Sequence, residues 1–177
     1  DLIELVDAPA HRIDVVYEAA DARFRPADPE AVAAVRATLS LPGRYFLFLG
    51  TREPRKNLRR LLQAYALVAA EPDAPDLVVA GRPGWLAEDL EGLAAELGLA
   101  GRVHFTGGVA DRDLPALYSG ATCVALVSLY EGFGMPALEA LAAGAPLVIG
   151  NRGSLPEIGA EAAVVVDPLR IGSIAEG

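Results

Sequence analysis

Glu131 and Glu139 bracket the segment EGFGMPALE, in which two carboxylates flank a glycine-containing turn and the opening of a helix. The apolar run from Cys123 to Val127 precedes it and reads as a buried strand. The chain therefore leaves a strand, bends at Gly132 and Gly134, and starts a helix near Met135-Pro136. Unpaired amides at a helix start favour a phosphate or a sugar oxygen. A carboxylate accepts hydrogen bonds from vicinal hydroxyls in pairs. Together these groups point to a nucleotide sugar. Taken singly, Glu131 reads as a solvated loop carboxylate. Glu139 reads as a surface residue on a helix otherwise made of Met135, Leu138, Leu141 and Ala142. The weight rests on the strand, turn and helix start that join them.

Two further loops have unusual content for plain connections. GTREPRKN, from Gly50 to Asn57, puts Arg52, Arg55 and Lys56 just before a helix N-terminus, where positive charge opposes the helix dipole. An anion bound between them, such as a diphosphate, makes that charge reasonable; a solvated basic loop is the other reading. TGGVADRD, from Thr106 to Asp113, carries Gly107 and Gly108, which let backbone approach a flat ligand closely. For the aspartates the favoured reading is a turn in which Asp111 or Asp113 caps the next helix. His11 and His104 have no evident partner for a metal site or a catalytic dyad. The sequence has no HxxH, CxxC, GxSxG, Walker-type GxxxxGK[ST] or dinucleotide GxGxxG pattern, so simple ATPase and NAD-dependent dehydrogenase readings are poor.

The elements that position these loops follow from composition and periodicity. With 177 residues, 53% of them hydrophobic and 22% charged, the chain has material for one domain with a buried core. A net charge of -9 and the lack of a basic run with interleaved aromatics exclude general nucleic-acid binding, so any anion site is local. Cys123 is expected to be a small buried hydrophobe. No stretch approaches the roughly 20 apolar residues of a spanning helix, and the opening lacks a secretory pattern, which makes a cytoplasmic location the default.

Short apolar runs alternate with helical periodicity, the pattern of an α/β, doubly wound parallel sheet with function in the loops after the strands. Strands are predicted at 13–17, 45–49, 77–80, 102–105, 122–127, 146–149 and 163–166. Asp28-Pro29 is expected to start a helix reaching about Leu39, and Asn57 to cap the next. Further helices are predicted from Leu86 to Leu97, Asp113 to Ser119 and Met135 to Ala143, with a short turn at Pro156-Glu157. Residues 1–12 read as a linker or the tail of a preceding domain. Residues 13–177 read as one domain whose last helix begins at Ile171 and stops.

The blocks FLGTREPRKN, LVVAGRPGW, RVHFTGGV, SLYEGFGMPALEALAAGAPLV and NRGSLPEI followed by VVVDP, in this order, resemble a known family. It is the carboxyl-terminal, donor-binding domain of retaining GT-B glycosyltransferases of the group 1, family 4 kind. The resemblance covers most of the chain from Tyr45 to Pro168. It implies a Rossmann-like half of a GT-B fold in which Glu131 and Glu139 form an E-x7-E element. Glu131, with the backbone of Phe133, Gly134 and Met135, would hold hydroxyls of the donor sugar, and Glu139 those of the ribose. The diphosphate would lie beside Gly50 and Thr51 against Lys56 and a second basic residue, Arg55 ahead of Arg52. Thr51 stands where many relatives carry arginine. The base would stack near Gly107, Gly108 and Val109.

The resemblance further implies retention at the anomeric carbon. Lys56, Arg55 and helix-terminal amides, with no metal or other cofactor, would stabilise the departing nucleoside diphosphate. The acceptor would bind to an amino-terminal domain outside this chain, so the chain alone would hold the nucleotide sugar without transferring it. The resemblance leaves room for peripheral membrane association of the full-length protein. Two rivals stay open: a hydrolysing sugar-nucleotide epimerase, and a non-catalytic nucleotide or phosphosugar binding module.

Overall fold

Tyr45–Leu49 forms β1, a run of aromatic and aliphatic residues suited to a strand covered on both faces. In a computed structural model describing residues 2–86, 88–159 and 161–177, it lies at the centre of a sheet. The other strands are β2 (Asp76–Ala80), β3 (Val103–Gly107), β4 (Cys123–Leu126), β5 (Leu147–Gly150) and β6 (Val164–Val166). Asp1, in the predicted tail, and Ala87, in the predicted helix from Leu86, lie outside the described residues.

Among the described residues the sheet has six strands in the order β3-β2-β1-β4-β5-β6, every pair parallel. Leu47 pairs with Val78 on one side and Val124 on the other. The chain thus winds outward from β1 through β2 to β3, returns beside β1 as β4, and winds out the other way. The α/β doubly wound parallel fold expected from the sequence is the fold observed. Its switch point lies between β1 and β4, whose following helices go to opposite faces of the sheet.

The described helices are α1 (Leu2–Val6), α2 (Pro29–Thr38), α3 (Leu58–Val68), α4 (Leu90–Glu96), α5 (Leu114–Ser119), α6 (Met135–Ala142), α7 (Leu155–Gly159) and α8 (Ile171–Glu176). Successive strand residues point to opposite faces, so Tyr45 and Leu47 pack with α2, α5, α6 and α7, while Phe48 packs with α3, α4 and α8. Fully buried Leu47, Leu62, Leu117 and Ile149 each contribute about 1.5 to 3 kcal/mol by leaving water. The helix after β1, α3, covers one face, and the helix after β4, α6, covers the other.

Three local expectations need correction. Residues 13–17 form no strand: Val15 and Val16 are 75% and 85% exposed, so their apolar run lines no core. The helix predicted from Leu86 starts at Leu90, because Leu86 has φ of 51° and Asp89 supplies the cap by accepting from the Gly92 amide at 2.8 Å. Proline opens α2 as expected, but the Asp28 side chain makes no capping bond.

Candidate functional site

Gly50 directly follows β1 and Gly81 directly follows β2, each with φ of 149°, a conformation that L side chains rarely adopt. A Cβ on Gly81 would lie 1.8 Å from the Gly50 carbonyl oxygen, so the two strand ends are pressed together. The loop after Gly50 then makes a single 3-10 turn, Pro54–Lys56, and meets the loop after β4.

Interleaved bonds join these two loops. The Leu129 amide donates to the Arg55 carbonyl at 2.8 Å. Asn57 Nδ2 donates to the Val127 carbonyl at 3.0 Å and to the Pro168 carbonyl, beyond β6, at 2.7 Å. Asn57 therefore joins three loops; it precedes α3 with φ of 62° and no side-chain capping bond, unlike the cap expected from the sequence.

Between these stitches, Lys56 Nζ lies 2.6 Å from Glu131 Oε1. The same oxygen accepts from Ser128 Oγ at 2.7 Å, and Oε2 accepts from Arg55 Nη1 at 2.9 Å. Lys56, Ser128 and Glu131 are buried, with Lys56 5% and Glu131 8% exposed. Burial alone would push the Glu131 carboxyl up. Hydrogen bonds from Lys56, Ser128 and Arg55, with the Lys56 charge, outweigh burial and hold it below its ordinary range. Glu131 is thus an ionised, buried carboxylate, which corrects the solvated reading of that residue taken singly.

Removing two charges from water costs several kcal/mol per ion, so a buried pair is weak evidence for stability and stronger evidence for position. This pair sits at the β1/β4 switch point, on loops that leave toward opposite faces. Arg55, 43% exposed, carries the arrangement outward and also binds Glu53 Oε2 at 2.9 Å. Two cations thus surround one carboxylate at the carboxyl ends of parallel strands, the end at which open α/β sheets generally bind their ligands.

Residues 36–177 match the family described as "Glycosyl transferases group 1". The chain belongs to the group 1 glycosyltransferases. It is 38% identical over 176 residues to the O-antigen chain mannosyltransferase B of Escherichia coli, covering 98% of this chain and 46% of that protein. This glycosyltransferase chain therefore spans about half the length of that curated relative. The C-terminal domain of LpcC, a group 1 family protein from Francisella tularensis, is similar with a TM-score of 0.74 and 27% identity, covering 86% of this chain and 82% of that one. HepE from Anabaena aligns with a TM-score of 0.83 at 24% identity, over 96% of this chain and 48% of that one, a likeness of fold alone. The glycosyltransferase chain is a C-terminal domain of the GT-B, Rossmann-like kind.

Within this glycosyltransferase domain the predicted site residues fall into separate groups. Gly50 abuts Lys56: a Cβ there would lie 3.8 Å from Nζ. Thr51 is exposed next to it. Arg52 does not join Arg55 and Lys56; its Nη1 lies 2.5 Å from Glu91 Oε1 and its guanidinium 5.5 Å from the Phe105 ring centroid. Gly107 ends β3 with φ of 69°, Gly108 backs onto Arg82, and Val109 is partly buried against the core.

Phe133 and Gly134 lead into α6, which begins at Met135, and Gly134 has φ of 103°. Ser154 Oγ donates to the Phe133 carbonyl at 2.5 Å, and Gly153 packs against the Glu131 backbone. Glu139 is half-buried and accepts from the Tyr118 hydroxyl at 2.9 Å, so it too is no plain surface residue. Burial raises its carboxyl above the ordinary range, which the Tyr118 hydrogen bond offsets only in part.

Sequence reasoning missed Ser128, Tyr118, Ser154 and the joining role of Asn57. Ser128 had a signal: it interrupts the apolar run CVALVSL three residues before Glu131. Tyr118 had none, because its bond depends on how α5 lies against α6. His104 does have a partner, Asp76 at 2.7 Å, which Arg102 also holds at 2.6 Å. That cluster marks the amino ends of β2 and β3, away from the loops that carry the site. Cys123 is half-buried, and burial pushes its thiol up, in keeping with a packing role.

Proposed function

We propose that this chain is the donor-binding domain of a retaining glycosyltransferase and that its donor is a nucleoside diphosphate sugar. The observation that carries this reading is the convergence of Lys56 and Arg55 on Glu131 at the β1/β4 switch point. The diphosphate lies against Lys56, Arg55 and the amides opening α6, where the charge of the departing nucleoside diphosphate is stabilised. An ionised carboxylate has about four acceptor positions. Lys56, Ser128 and Arg55 take three at Glu131, which leaves one on Oε2 for a sugar hydroxyl.

Tyr118 fixes one oxygen of Glu139 and leaves the other for the ribose. The base lies near Gly107, Gly108 and Val109. Arg55, more exposed than Lys56, is the cation that reorients when the phosphate arrives. Arg52, engaged with Glu91, ranks behind Arg55 as the second phosphate residue. The acceptor binds to a second domain, and transfer with retention takes place between the two, so this chain alone binds donor without transferring it. The likeness to a mannosyltransferase supports a mannosyl donor.

Screening GDP-, UDP-, ADP- and dTDP-hexoses for thermal stabilisation tests the reading, since a ligand of the native state raises the melting temperature with its concentration. One nucleotide class should stabilise the chain, with the mannose form ahead of the glucose form. No shift with any of the four counts against it.

A further inference from the structure

The irregular segment 13–20 brings Tyr17 to the turn that opens α6. Its ring packs edge-to-face on Phe133, with centroids 6.4 Å apart and planes at 64°. Its hydroxyl donates to Glu157 Oε1, on α7, across 140 residues of sequence. Ser154, just before α7, holds the Phe133 carbonyl at 2.5 Å, and Leu155 packs against Gly134, where a Cβ would lie 3.0 Å from Leu155 Cδ2. The peptide from Phe133 to Gly134 is therefore gripped at the carbonyl by Ser154, beneath Gly134 by Leu155, and at the aromatic ring by Tyr17.

The neighbours of Tyr17 do not explain its placement. Val15 and Val16 are 75% and 85% exposed, so the segment is not drawn here by burying them. Tyr17 and Phe133 stand outside both clusters of core residues, and the bond to Glu157 lies at the surface. An exposed hydrogen bond of this kind adds little to folding. Its effect is local: it fixes the Tyr17 ring against Phe133 at the turn that opens α6.

We propose that Tyr17 is a positioning residue for the sugar of the donor, acting through Phe133 and Glu157; this rests on the donor reading above. A chain segment more than a hundred residues upstream of the EGFG turn then shapes the subsite for the transferred sugar and leaves the diphosphate contacts at Lys56 and Arg55 alone.

The test is calorimetric titration of the chain and its variants with the nucleotide sugar that stabilises the wild type best and with its parent nucleoside diphosphate. Tyr17→Ala should weaken binding of the nucleotide sugar roughly three- to tenfold, the range of a lost aromatic pair, and binding of the nucleoside diphosphate by less than about twofold. Tyr17→Phe, which keeps the ring, and Glu157→Gln should fall between the wild type and Tyr17→Ala, with near-native melting temperatures. Equal losses for both ligands, or none for either, overturn the assignment. A wild type that binds the nucleoside diphosphate but shows no sugar-dependent loss in the variants leaves the donor reading standing and this one refuted; a wild type that binds neither ligand refutes both.

Discussion

The Lys56 ammonium lies 2.6 Å from a carboxylate oxygen of Glu131, 75 residues later in the chain, with both side chains more than nine-tenths buried. This pair joins the loop after β1 to the loop after β4 where the sheet reverses its winding. Removing one partner of a buried pair costs about 3 to 5 kcal/mol when the other charge is left uncompensated, whereas replacing both with apolar residues is often neutral. In Lys56→Met the Glu131 carboxylate keeps Arg55 and Ser128, so stability to urea should fall by less than about 3 kcal/mol, and Lys56→Met with Glu131→Leu should recover most of the loss. Losses that add within about 0.5 kcal/mol would show that the two are not coupled.

The two glutamates should respond to pH with opposite sign. Glu131 is held below its ordinary 4.5, so its contribution is fully present above that value and is lost as pH falls through the depressed one. Glu139 is raised above 4.5, so the folded state holds its proton longer and stability falls as pH rises from 4.5 through the raised value. Denaturation between about pH 3 and 7 should show the stability advantage of wild type over Glu131→Gln shrinking toward acid. Over the same range Glu139→Gln should gain on wild type as pH rises. Parallel curves would contradict the environments assigned to both residues.

Asn57 makes a case for backbone and side chain together. Asn57→Gly keeps access to φ of 62° but leaves the Val127 and Pro168 carbonyls without their donor, at about 1 to 3 kcal/mol each. Asn57→Ala adds about 1 kcal/mol for the left-handed backbone. Chemical denaturation should rank wild type above Asn57→Gly and Asn57→Gly above Asn57→Ala. A neutral Asn57→Gly would remove the joining role.

Gly81 and Gly132 offer a contrast between two glycines. A methyl on Gly81 meets the Gly50 carbonyl oxygen at 1.8 Å, whereas one on Gly132 meets nothing within 4 Å. Gly81→Ala should cost more than about 3 kcal/mol, or prevent folding, because the contact is backbone on backbone. Gly132→Ala should stay within about 0.5 kcal/mol in the same thermal melt. Similar melting temperatures for the two would contradict the close packing of the β1 and β2 ends.

The sheet was legible because apolar runs such as YFLFL and CVALV, spaced by helical segments, admit few other arrangements. The same signal misled at 13–17, where Val15, Val16 and Tyr17 look like strand residues but, among the described residues, pair with no strand. At the site, the EGFG turn and the basic loop were visible as separate groups. Their meeting was not, since the pairing of Lys56 with Glu131 depends on β1 and β4 becoming neighbours. Asn57 shows the limit most clearly: an asparagine before a helix reads as a cap, and only the folded chain reveals that Val127 and Pro168 are its partners.

The central claim is that Lys56, Arg55 and Glu131 form the diphosphate and sugar end of a donor site. Calorimetric titration of a nucleoside diphosphate without sugar into wild type, Arg55→Ala and Glu131→Gln tests it most directly. Arg55→Ala loses a charge-assisted contact worth about 1.5 to 3 kcal/mol and should weaken binding by at least tenfold. Glu131→Gln removes an anion that competes for the same cations and should bind as tightly as wild type or more tightly. No binding by wild type, or an Arg55→Ala variant indistinguishable from it, would contradict the account.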